Sequence, residues 1–364
     1  MKILLFGEFS GLHNNLRDGL LELGHEVTIA AGRDGFKNIP SDIKLDSSLP
    51  GVLGQFSTRA KPFLSLPQLS GHDVVQIINP FFPNAKLFPK QIFYSLLKSV
   101  NDKFFVLGAG SDAYFWRYGK KAMKYGPFQD FLKYDARPDQ VVSGEYYMES
   151  DNAFRYNKKI VESSNGIIPV MYEYEVSYKE CPSRLPTIPL PINTNHIEYR
   201  DNKLAGKIKI FHGLNRYGFK GTKHVEAAFR ELQHRYPNDL ELIIDGKLPL
   251  AEYLSVMRSA NIVIDQVNSY SLGMNGLYAL AMGKIVLGGA EPEGLRSIGV
   301  DKSPVFNIVP GKESIIKKIE ELLDNRNSIP DIGYAGRQFV EEVHCHIKIG
   351  QQYLETWSNP SKLN

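Results

Sequence analysis

The opening of the chain sets its class. KILLF, residues 2–6, is a short apolar run, and Gly7, Ser10 and Gly11 follow as a loop. Leu12, Leu16, Leu20 and Leu23 then recur at helical spacing, Gly24 stops the helix, and EVTIA reads as the next strand. Strand, helix and strand in that order form a βαβ unit, which requires a parallel sheet with a right-handed crossover. The alternation continues through DVVQIIN (73–79), a helix near 90–100, KFFVLGAG (103–110) and GIIPV (166–170).

Residues 181–206 carry four prolines, at 182, 186, 189 and 191, which argue against a helix and read as a linker. A second α/β series follows. KIKIFHG (207–213), LELIIDG (240–246), ANIVIDQ (260–266) and KIVLGG (284–289) are strands. Helices are expected near 222–235, 250–259, 273–282, 312–324 and 333–343, and IKIGQQYLETW (347–357) closes the chain. The expected division is 1–190, 207–343 and a closing segment 344–364, packed on the first domain by Tyr353 and Trp357. Two such domains facing each other suit a ligand held at strand carboxyl ends.

Composition excludes several classes. The chain has 364 residues, enough for about two domains. It is 43% hydrophobic and 23% charged, which sets aside disorder and coiled coil. A net charge of +3 does not advertise a nucleic-acid partner. Cys181 and Cys345 provide neither a disulfide framework nor zinc spacing, so a reducing cytoplasm is expected. No apolar run reaches the ~18 residues of a membrane span, and the N-terminus does not read as a signal peptide. Peripheral contact with the inner membrane face stays open. His344 and His346 point about 200° apart on a helix, so no metal is expected there.

Several positions carry candidate chemistry. Gly11 lets backbone approach a ligand at a helix N-terminus, although Gly7–Gly11 is not GxGxxG and supports no dinucleotide site. His13 sits in the first turn of that helix, as a functional group or as a cap-region histidine. In the second series, Asn215, Arg216 and Lys220 occupy one loop between strand and helix. A forked cation, a point cation and backbone donors suit a diphosphate. Ser269–Gly273 forms a polar loop before a helix rich in small residues, with Gly276, Ala279 and Ala281. Segment 114–134 interleaves aromatics with Arg117, Lys120, Lys121, Lys124 and Lys133. It reads as a partly buried aromatic helix pair with a solvated basic face, or as a surface that meets acceptor or headgroups.

FHGLNRYGFKGT, FRELQHRYPNDLELIIDG, MRSANIVIDQ and SLGMNGLYALAMGKIV stand in order across 207–290. This second half resembles the retaining nucleotide-sugar glycosyltransferases of the two-domain GT-B architecture, the large family-four group. GHEVTIA and AGSD (109–112) in the first half are similar to segments of the same proteins, with Ala109 at a usual histidine. The resemblance implies two Rossmann-like α/β domains across a cleft and transfer of a sugar from a UDP- or GDP-sugar to a glycan or lipid-linked glycan, as in polysaccharide biosynthesis. It implies no cofactor and no metal.

By the same resemblance, Arg216 and Lys220 hold the donor diphosphate and stabilise its departure. Gly273, Met274 and Asn275, with backbone amides to Leu277, contact phosphate or sugar. Gly11 admits the first-domain loop to the diphosphate. The family's two donor-site glutamates, eight positions apart, are Tyr270 and Tyr278 here. Their hydroxyls can bond a sugar or ribose but supply no carboxylate. Glu291 or Glu293 is the candidate replacement; otherwise both are exposed loop acids. Asp112 and His13 are the acceptor-side candidates, with Asp112 alternatively capping the next helix. The competing readings are a non-catalytic nucleotide- or sugar-binding relative and a nucleotide-sugar epimerase. A phosphorylase is disfavoured, because no lysine-anchored cofactor signal is present.

Overall fold

A computed structural model describes residues 1–32, 39–47, 51–83, 88–128, 146–214, 217–246, 248 and 250–360. Two parallel sheets organise it. The first is built from β1 (Lys2–Phe6), β2 (Glu26–Ala31), β3 (Ile43–Lys44), β4 (Val74–Ile77), β5 (Lys103–Gly108) and β6 (Ile167–Pro169). Its order is β3-β2-β1-β4-β5-β6, the doubly wound order with a switch point between β1 and β4. The second comprises β7 (Ile208–Gly213), β8 (Leu240–Asp245), β9 (Ile262–Ile264), β10 (Ile285–Gly288) and β11 (Phe306–Asn307), in the order β11-β10-β9-β7-β8.

Strands buried on both faces read as unbroken apolar runs, and alternate residues serve different layers. Ile3 and Leu5 of β1 join one core, while Leu4 and Phe6 join another. The first core receives α1 (Leu12–Glu22). The second core receives Phe93, Tyr94 and Leu97 of α3 (Lys90–Ser99), and Ile160 and Val161 of α4 (Asp151–Glu162). Helix α2 (Gly51–Leu64) lies beside α3, with the Phe63 and Phe93 rings 5.4 Å apart.

In the second sheet, Ile208, Ile210, Ile262 and Ile264 pack on α6 (Thr222–Arg235) and α10 (Lys312–Asp324). Phe211, Val263 and Val286 face the opposite layer with α7 (Leu250–Ser259), α8 (Met274–Ala281) and α11 (Ile329–Val343). That layer is continuous with the first sheet's inner core, so one apolar cluster runs between the two halves. Two short helices, α5 (Tyr172–Ser177) and α9 (Pro292–Ser297), meet across the junction.

The last helix, α12 (His346–Ser358), returns to the first sheet and packs on α1. A Cβ at Gly19 would lie 2.1 Å from the His346 carbonyl, so only glycine permits this approach. Trp357 is fully buried and donates through Nε1 to Gln76 Oε1 at 3.3 Å. Lys103 Nζ donates to the Trp357 carbonyl at 2.8 Å. Where the chain crosses between the halves, Ile192 N donates to His344 O at 2.7 Å and His346 N to Ile192 O at 3.3 Å.

Candidate functional site

The first half contributes the loop after β1. Gly11 has φ 87° and leads into α1. Glu8 occupies the positive end of that helix. Its Oε1 accepts from Gly11 N at 2.8 Å, and its Oε2 accepts from Asn14 N at 2.9 Å and Asn14 Nδ2 at 2.7 Å. The sequence reading has Gly11 admitting this loop to the diphosphate; in the structure the Gly11 and Asn14 amides meet an internal carboxylate. A Cβ at Gly11 would lie 2.4 Å from the Tyr278 hydroxyl, so the glycine accommodates a side chain from the other half.

His13 does not line an open face. It is fully buried, and Nδ1 lies 2.6 Å from the Gly7 carbonyl. A carbonyl only accepts, so Nδ1 carries the proton and Nε2 faces Gln76 Nε2 at 3.3 Å. Burial lowers the pKa to about 4, against the raising effect of the Gly7 carbonyl. His13 is thus a neutral link in a buried chain from Gly7 through Gln76 to Trp357.

Asp112 is also fully buried, accepting from Phe115 N at 2.8 Å and from Tyr178 Oη at 2.6 Å. Of its two readings, capping is the one that this geometry describes.

The second half contributes Lys220, which ends a short turn after β7. Its ammonium lies 3.5 Å from Asp265 Oδ1, and both residues are buried. Asp265 Oδ2 accepts from Gly273 N, at the start of α8, at 3.0 Å. One carboxylate therefore joins the loop lysine to a helix N-terminus. Behind it, His212 Nδ1 donates to the Ile264 carbonyl at 2.9 Å, which leaves Nε2 to accept from Thr222 Oγ1 at 2.9 Å. Burial, and then the charge of Lys220, lower the His212 pKa to about 3. Asn215 and Arg216 lie outside the described residues.

The first turn of α8 holds Met274, buried, and Asn275, half-buried. Gly276 faces Asp265, where a Cβ would meet Oδ2 at 3.0 Å. Tyr270 and Tyr278 both cross to the first half. The Tyr270 hydroxyl accepts from Lys124 N at 3.0 Å, and its ring stacks on Tyr125 at 4.6 Å. The Tyr278 hydroxyl accepts from Asn15 Nδ2 at 2.7 Å, and burial pushes its pKa up to about 12. Glu291 is not a free loop acid: its Oε1 accepts from Tyr125 Oη at 2.8 Å and Asn307 Nδ2 at 3.1 Å. Glu293 is half-buried in the first turn of α9.

Glu173 was missed by sequence reasoning. It projects from α5 into the other half and is buried. Its Oε1 accepts from Tyr270 N at 2.8 Å, Ser271 N at 3.0 Å and the Ser269 hydroxyl. Nothing local marks such a carboxylate, because its partners lie 96–98 positions away.

The basic–aromatic segment is largely structural where it is described. Phe115, Trp116 and Phe128 are buried together. Arg117 pairs with Asp151 at 2.5 Å and lies over the Phe154 ring, while Lys120 pairs with Glu149 at 2.9 Å. Lys133 lies outside the described residues. His344 Nδ1 donates to Leu190 O at 2.7 Å, whereas His346 Nε2 meets Glu22 at 2.8 Å, so the two rings serve separate partners.

Three solved structures superpose on essentially the whole chain. Sucrose-phosphate synthase from Thermosynechococcus elongatus matches with TM-score 0.64 at 15% identity, covering 100% of each chain. An alpha-glucosyltransferase in complex with UDP and DNA matches with TM-score 0.63 at 12% identity, covering 98% of this chain and 99% of that one. Anabaena HepE in complex with UDP-glucose matches with TM-score 0.60 at 13% identity, covering 98% of this chain and 100% of that one. The fold is GT-B. No protein-family model matches the sequence, and no curated protein matches it. In this GT-B chain the junction between the halves holds Lys220 and the start of α8 on one side and Glu8, Asn15 and Glu173 on the other. Among the described residues, no helix is long and apolar enough to cross a membrane.

Proposed function

We propose that the protein is a nucleotide-sugar glycosyltransferase, with residues 1–190 on the acceptor side, 207–343 on the donor side and 344–364 returning to the first domain. One observation carries the reading. Lys220 and the amide of Gly273, the cap of α8, share a single buried carboxylate, Asp265. Asp265 holds these donors as Glu8 holds the α1 end, but only here does a cation stand beside the helix cap, and a cation with a helix N-terminus is what a donor phosphate draws on. Arg216 in the same loop adds a second cation. The likeness in fold to enzymes solved with UDP and UDP-glucose supports the same class of donor.

In the proposed reaction the bond from the anomeric carbon to the leaving phosphate oxygen breaks. The acceptor oxygen takes its place on the same face, and its proton passes to the leaving phosphate. Lys220 and the α8 amides stabilise the developing charge without a metal. Met274, Asn275, Tyr270, Tyr278 and Glu293 are the proposed donor contacts beside them, with Glu291 as the carboxylate that accepts from Tyr125 of the Tyr125–Tyr270 pair. The acceptor proposed is a glycan or lipid-linked glycan, reached from the cytoplasm, in keeping with a net charge of only +3.

A second reading has its own observation. Both donor-glutamate positions are tyrosines whose hydroxyls bond the opposite half. A binder without turnover needs no carboxylate there.

A thermal-shift panel of UDP, GDP and their sugars, with turnover assayed on each hit, tests both readings. At about 100 times its dissociation constant a bound donor raises stability by ~2.7 kcal/mol. A shift with donor cleavage supports the transferase, and a shift without cleavage across an acceptor panel supports the binder. Absence of a shift with every nucleotide refutes both.

A further inference from the structure

Tyr253, on α7, carries a hydroxyl that the fold does not use. The residue is 5% exposed, and its ring packs edge-on against Phe211 at 5.5 Å. Among the described residues, no hydrogen-bond partner meets its oxygen. A buried tyrosine hydroxyl ordinarily finds one, so an idle hydroxyl needs a physical reason. Phenylalanine would pack on Phe211 equally well and leave no polar tip to satisfy.

The place of the hydroxyl supplies that reason. It lies over Gly213, the last residue of β7, where a Cβ would stand 2.4 Å from the oxygen. The bare α-carbon of Gly213 is therefore what lets the hydroxyl reach the strand end. Phe211 pairs with Val263 and His212 with Ile264, so the same register brings Gly213 beside Asp265. Adjacent strands lie about 4.8 Å apart. Phe211 and Val263 pack in the layer of α7 and α8, and alternate residues share a face, so Gly213 and Asp265 point into that layer too. The Tyr253 hydroxyl thus stands next to the carboxylate that holds Lys220 and the Gly273 amide. Burial, and then the charge of Asp265, raise the Tyr253 pKa, so the group stays a neutral O–H donor. A neutral donor suits an anionic oxygen here: it adds a hydrogen bond to the ammonium and the helix end without a further charge.

We infer that Tyr253 contacts the bound donor, its hydroxyl donating to a diphosphate oxygen beside Lys220 and the start of α8. This role rests on the donor-site reading proposed above.

Calorimetric titration of wild type and Tyr253→Phe with UDP, GDP and inorganic diphosphate, alongside melting of both proteins, is the test. The variant should bind diphosphate, and the nucleotide that wild type prefers, roughly tenfold more weakly, as the loss of a hydrogen bond to a charged oxygen implies. Its melting temperature without ligand should equal or exceed that of wild type, because an unpartnered buried hydroxyl is gone. A purely structural tyrosine gives the reverse, with lower melting and unchanged affinity. Unchanged affinity, or melting well below wild type, overturns the inference. So does a loss confined to the nucleotide with diphosphate untouched, which would move the contact to the nucleoside. Failure of wild type to bind any of the three ligands refutes the donor-site reading and this role with it, whereas binding that Tyr253→Phe leaves intact refutes this role alone.

Discussion

The two halves open with the same device and charge it oppositely. Each begins with a buried parallel strand whose loop enters a helix through a glycine with positive φ, Gly11 at 87° and Gly221 at 72°. Each buries a histidine that bonds a backbone carbonyl through Nδ1, His13 to Gly7 and His212 to Ile264. In the first half the loop supplies Glu8, which fills its own helix end. In the second it supplies Lys220, held against Asp265. One backbone module thus presents an anion-filled end and a cation-bearing one. Fold alone does not decide what a strand–loop–helix unit binds.

The largest effect expected from breaking this asymmetry is at Lys220. Lys220→Met removes the cation beside buried Asp265 and should cost about 3–5 kcal/mol, as seen when one member of a buried pair is deleted. Adding Asp265→Asn should recover most of the melting temperature but not a nucleotide-induced shift. If the double variant still shifts with UDP, Lys220 is not a phosphate ligand.

The buried histidines make a second, pH-dependent prediction for both halves. Their folded pKa values, about 4 for His13 and about 3 for His212, lie below the usual 6.5. Between those values and 6.5 the unfolded chain binds more protons, so stability must fall as pH drops through that window. For His13 the full loss is on the order of 3 kcal/mol. Urea midpoints at neutral pH and near pH 4 measure it, and His212→Asn should flatten part of the slope. Equal midpoints would show that neither histidine is held neutral by burial.

The smallest effect is expected at Glu8. Glu8→Gln keeps an acceptor oxygen but loses the charge at the helix end, a cost of about 1 kcal/mol. The same change should tighten binding of inorganic diphosphate, because it removes the anion nearest the first-half loop. Unchanged diphosphate affinity, read by calorimetry, would separate Glu8 from the ligand site altogether.

Most of the architecture was legible because parallel strands buried on both faces announce themselves as apolar runs ended by glycine or polar residues. KILLF, KFFVLG and IKIFHG needed no tertiary information. β3 and β11, two residues each, are too short to carry a pattern. Helix α2 was not read, because Gly54 and Pro62 interrupt its sequence and its apolar residues do not all face a core. At the junction, Lys220 and Gly273 were legible from their places between strand and helix. Glu8, Glu173 and Asp265 were not, because an acid becomes a cap or a counter-ion only through partners that distant sequence brings to it. The tyrosines at 270 and 278 were located, but their packing across the junction depends on Asn15, Lys124 and Tyr125, which no local pattern connects to them.

The chain passes between its halves twice, and the two passages are bonded to each other at Ile192, His344 and His346. A single tether would leave the second half free to swivel about every direction. Two adjacent crossings behave instead like the pins of a door: rotation about the line joining them is cheap, and twisting away from it stretches one passage against the other. An opening of the junction would then swing along one arc rather than in any direction.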